Sequence, residues 1–134
     1  MKWIPVYGLA LLVFLLLDGL WLGYVAKDLY LTRMAPIMRE RPVLPVAALF
    51  YMAYVAGLVY FVIAPALQTG DWRSAAFNGA LFGFLAYLTY DATAYAVIRG
   101  FDPVLALIDV AWGSVLGAAA STVTVLALRT FPST

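Results

Sequence analysis

Apolar side chains run through this chain almost without pause, and polar ones gather in three short clusters: KDLYLTRMAPIMRERP at 27–42, QTGDWR at 68–73 and RGFDP at 99–103. Between the clusters lie four stretches, residues 3–26, 43–67, 74–98 and 104–128, each as long as the roughly 20 residues a helix needs to cross hydrocarbon. Helices are expected there because an unpaired backbone group in lipid costs several kcal/mol. Pro5 suits a first turn, RPVLP opens the second stretch, PALQTGDW closes it, and RGFDP separates the third from the fourth. The expected fold is all-α: an integral membrane, antiparallel bundle of four transmembrane helices, forming one membrane domain over residues 1–134.

The first stretch differs from a signal peptide in carrying Asp18 and Trp21, and Tyr24 stands where a cleavage site needs a small residue. It is read as a retained span. The long first link mixes basic residues with Leu29, Leu31, Met34, Ile37 and Met38, which suits either a short interfacial helix broken near Pro36 or a solvated loop. Lys27, Arg33, Arg39, Arg41 and Arg99 fall on the side of links one and three, against Lys2, Arg73 and Arg129 on the other. That excess places links one and three in the cytoplasm and both termini outside.

Composition sharpens the picture. Of 134 residues, 66% are hydrophobic and 11% charged, against about 45 to 50% and roughly 25% in soluble domains. A net charge of +1 gives no reason to expect a nucleic-acid partner. With no cysteine and no histidine, disulfides, thiolate nucleophiles, the usual zinc sites and imidazole acid/base chemistry are excluded. No metal site and no cofactor are expected. Any chemistry must use carboxyls, hydroxyls, phenols and indoles.

Four of the seven acids, Asp28, Glu40, Asp71 and Asp102, fall in links and read as solvated charge. The other three, Asp18, Asp91 and Asp109, lie inside spans. Counting about 1.5 Å per residue from the nearest link, all three sit on the order of 7 to 12 Å below one surface. No Lys, Arg or His accompanies them at that depth. A charged Asp near mid-bilayer costs ~2.5 to 3.5 kcal/mol on insertion scales, so the three should face the bundle interior and at least one should hold a proton. Two neighbouring carboxyls would titrate as a coupled set. The plainer alternative is that they fasten helices together, at ~0.6 to 2 kcal/mol per hydrogen bond.

Aromatic side chains surround this layer. Tyr87, Asp91 and Tyr95 recur at four-residue spacing on the third span, with Thr89 and Thr93 flanking the acid, and Tyr51 and Tyr54 reach a comparable depth on the second. Trp21 and Trp112 each follow an acid by three residues, and because their helices run oppositely they are expected as opposing walls of one pocket. Trp3, Tyr7, Tyr30 and Trp72 read as interfacial anchors. The candidate ligand-binding set is thus Asp18, Trp21, Tyr51, Tyr54, Tyr87, Asp91, Thr93, Tyr95, Asp109 and Trp112, with the three Asp residues as candidate catalytic groups. Gly19 and Gly23, Gly79 and Gly83, and Gly113 and Gly117 are spaced for close helix packing, within one bundle or between the copies of a homodimer.

The runs FYMAYVAGLVYFVIAPAL, GALFGFLAYLTYDATAYAVIRGF and IDVAWGSVLGAAAS, behind an Asp-x-x-Trp first helix, resemble a family of small bacterial inner-membrane proteins of unknown function. The resemblance covers nearly the whole chain. It implies four transmembrane helices in a bacterial inner membrane, and it matches Asp18, Trp21, Tyr51, Tyr54, Pro65, Tyr90, Asp91, Thr93, Asp109, Trp112 and Gly113 to the family motifs. Where the family pattern has TYDLTN, this chain has Ala94 in place of the Asn.

The residues leave three readings open. The first is a small bundle that binds or transports a proton, a cation or an amphiphile with a cationic head, using carboxylate charge and cation–π attraction. The second is an enzyme acting on a lipid or isoprenoid, with one Asp as general acid and another as base, for isomerisation or cyclisation. The third is an accessory subunit whose acids only fasten helices. Membrane lipids are expected partners in all three.

Overall fold

A computed structural model describes residues 3–25, 27, 28, 32 and 44–130. Helix α1 (Trp3–Leu20) continues into a π-helical turn, Trp21–Val25. Helix α2 (Leu44–Leu58) passes through a second π-helical turn, Val59–Ile63, into α3 (Ala64–Thr69). Helices α4 (Trp72–Val97) and α5 (Pro103–Thr130) complete the bundle. The expected interfacial helix near Pro36 lies outside the described residues.

The second π turn has a local cause. Pro65 has no N–H for the helical ladder, and just before it Ala64 donates to Val59, one residue further back than in an α-helix. The links are equally explicit. Gly70 ends α3 in the left-handed conformation (φ 71°). Asp71 then caps α4 by accepting from the Arg73 N–H at 3.0 Å. At the next link Gly100 turns the chain (φ 88°) and Asp102 accepts from the Val104 N–H at 3.1 Å. Two acids read from sequence as solvated charge are therefore helix caps.

Residues 3–25, 45–69 and 103–128 are long and apolar enough to cross a membrane. Helix α4 matches them in length but is less apolar, since it carries Asn78, Thr89, Asp91 and Thr93. It is held by α5 through glycine. A Cβ at Gly79 would strike the Gly117 carbonyl, and one at Gly83 the Gly113 carbonyl. At Gly113 it would meet the Tyr87 ring. These pairings run in opposite chain directions, so α4 and α5 are antiparallel with their backbones in contact. Gly19 and Gly23 have nothing within 4 Å and face outward.

The core is a column of Phe14, Tyr54, Val55, Leu58, Ile63, Leu116 and Val125. Around it, Leu16, Leu49, Phe61, Phe77, Leu107 and Val115 stand exposed, a girdle that only lipid can cover at low cost. The protein is an all-α membrane bundle.

Candidate functional site

Asp18 closes the inward stripe of α1, one turn beyond Phe14, and both are buried. The Phe14 ring packs against Tyr51 (5.4 Å between centroids) and Tyr54 (4.9 Å), fixing α2 against α1. That places the Tyr51 hydroxyl to donate to Asp18 Oδ2 at 2.8 Å. The other oxygen, Oδ1, accepts from the Trp112 indole N–H of α5 at 3.1 Å. Asp18, 6% exposed, therefore has one donor on each oxygen, from two different helices.

Trp21 lies in the π turn and stacks on Trp112, with 4.4 Å between centroids and 6° between planes. The two indoles thus touch face to face instead of forming walls on either side of a pocket. Their stack shields the Asp18 end of the layer.

Asp91 and Asp109 form a second centre. Asp91 is 2% exposed, and its Oδ2 receives no hydrogen bond from an N–H or O–H donor among the described residues. The Asp109 carboxyl lies beside it. Two ionised carboxylates side by side repel, whereas a pair holding one proton between them need not. The Tyr87 ring packs over Gly113 and meets that of Tyr54 at 89°. The Tyr54 hydroxyl is buried without a partner among the described residues.

The Tyr87, Asp91, Tyr95 stripe divides along its length. Tyr87 turns into the bundle over Gly113, whereas Tyr95, 55% exposed, lies with Asp91 on an outer groove between α4 and α5. The expected flanking hydroxyls point elsewhere: Thr89 bonds the Leu85 carbonyl at 2.7 Å, and Thr93 lies on the exposed face. Tyr90, also exposed, meets Phe101 edge to face. The groove measures about 330 Å³ and its walls include Leu88, Pro103, Ala106, Leu107 and Val110, none of which carried a sequence signal beyond being apolar. Phe14 was also missed, although its position four residues before Asp18 marks the same helix face. Among the described residues no three acids converge closely enough to hold a metal ion.

A family model described as a predicted membrane protein, DUF2177, matches residues 3–126. The chain belongs to the DUF2177 family. Both acid centres, the indole stack and the glycine seam of this DUF2177 protein fall inside the matched region. No match was found among curated proteins or among solved structures.

Proposed function

We propose that this protein, in a bacterial inner membrane, binds or carries a proton or a small cationic amphiphile at its carboxyl layer. The observation that supports this reading is Asp91: a nearly sealed carboxyl, beside a second carboxyl, with one oxygen that no donor among the described residues satisfies. A buried acid that only fastened helices would have its oxygens matched to donors, as Asp18 does. The Asp91 centre instead sets two carboxyls side by side, in surroundings where an uncompensated charge is costly. The indole stack covers the Asp18 centre, while Asp91 lies at the floor of the α4–α5 groove.

Infrared spectroscopy of the protein in lipid nanodiscs, titrated with acid, tests the reading. A carboxylic-acid carbonyl band should vanish in Asp91→Asn and in Asp109→Asn and persist in Asp18→Asn. Spectra identical in all four proteins would overturn it.

A further inference from the structure

We infer that the ligand of the Asp91–Asp109 centre is a single-chain amine that enters sideways from the bilayer through the groove between α4 and α5. The inference rests on the reading of that centre as a proton or cation site. Three observations on the groove carry it. Its floor includes Asp91, whose unsatisfied Oδ2 is 98% enclosed with its residue. Its walls, Leu88, Ala92, Leu107 and Val110, are aliphatic, and Leu107 is among the most exposed side chains of the helix girdle. Its volume, about 330 Å³, lies at the small end of ligand sites, which run from roughly 300 to 1,000 Å³. An aliphatic cleft of that size with a lipid-facing rim suits one hydrocarbon chain better than the two of a phospholipid.

Charge selects the head group. On the reading proposed above, two carboxyls with one proton between them carry a single negative charge, and residues 3–25, 45–69, 74–98 and 103–128 contain no Lys or Arg to balance it. An ammonium group neutralises that charge and brings N–H donors to the Asp91 carboxyl at the groove floor. An alcohol of the same length would supply one donor and no charge. Tyr95 at the groove adds a ring face that favours a cation over a neutral head.

The test uses dodecylamine with a photoreactive diazirine at its chain end and the full-length protein in phosphatidylcholine nanodiscs. Labelling should map to the α4–α5 face and be competed by unmodified dodecylamine but not by dodecanol. Asp91→Asn should weaken labelling about tenfold, because it removes the carboxylate that the ammonium would pair with at the groove floor. Ala92→Phe, at an exposed groove position, should weaken it as much while leaving both carboxyls and the infrared band intact. Equal competition by dodecanol, or labelling indifferent to both variants, would overturn the amine assignment. If labelling fails while the wild-type infrared band still disappears in Asp91→Asn, the amine assignment falls and the proton-binding reading stands. If that band does not depend on Asp91, the broader reading falls with it.

Discussion

Trp112 donates its indole N–H to Asp18, at 3.1 Å and 94 positions away in the chain, not to Asp109 three residues before it on its own helix. The two Asp-x-x-Trp turns are therefore interlocked. The indole of the last helix satisfies the acid of the first, the indole of the first stacks on that of the last, and Asp109 is left to face Asp91.

Removing either donor to Asp18 should loosen the bundle. Tyr51→Phe and Trp112→Phe each strip one hydrogen bond from the same buried carboxyl, at ~0.6 to 2 kcal/mol apiece. Because they share an acceptor, the double variant should depart from the sum of the single ones by at least about 0.5 kcal/mol. Denaturant unfolding in mixed micelles measures this, and strict additivity would mean that the Asp18 oxygens are not jointly held.

The parallel indoles should couple spectroscopically. At 4.4 Å and 6°, Trp21 and Trp112 should give an exciton feature in circular dichroism that is absent from both Trp21→Phe and Trp112→Phe. Loss of the stack should also cost ~0.5 to 1.5 kcal/mol of stability. A wild-type spectrum equal to the sum of the variants' would argue against face-to-face contact.

Glycines of the same spacing should behave oppositely. Gly83→Ala and Gly117→Ala force a methyl against backbone carbonyls of the facing helix and should destabilise by ~1 to 3 kcal/mol. Gly19→Ala and Gly23→Ala, with open space around them, should leave monomer stability unchanged or slightly raised. Thermal unfolding of the four variants side by side separates the two classes.

The link acids are expected to matter through geometry more than charge. Asp71→Ala and Asp102→Ala remove helix caps and should each cost ~0.5 to 2 kcal/mol, while Asp71→Asn and Asp102→Ser should restore most of the loss. Equal effects of Ala and Asn at position 71 would point to the charge instead.

Helix extent was legible in the sequence, and rotation was not. Counting helical rise puts Asp18, Asp91 and Asp109 at one level without any coordinates. How far each helix turns about its own axis depends on the helix it touches, and that decides which acid meets which donor. The α4–α5 glycine contact sets Tyr87 inward and Tyr95 outward, although both lie on one nominal stripe with Asp91. The π turn that carries Trp21 departs from the 3.6-residue period by which a three-residue spacing from Asp18 would set both on one face. Four helices and the family motifs could be read from apolar run length and quoted residues. The caps at Asp71 and Asp102 could also have been read, from a Gly-Asp pair and an Asp-Pro pair at helix starts.

The glycine seam also bears on how the chain enters the membrane during synthesis. Helix α4 is the least apolar of the long helices, and its closest backbone neighbour is the helix made after it. A segment that hydrocarbon holds weakly, and that its successor grips, is secured only once residues beyond 103 have left the ribosome. The two should therefore insert as a hairpin: a chain halted before Pro103 should leave Ser74 and Asn78, when changed to cysteine, open to water-soluble thiol reagents. In the full-length protein both positions should be protected.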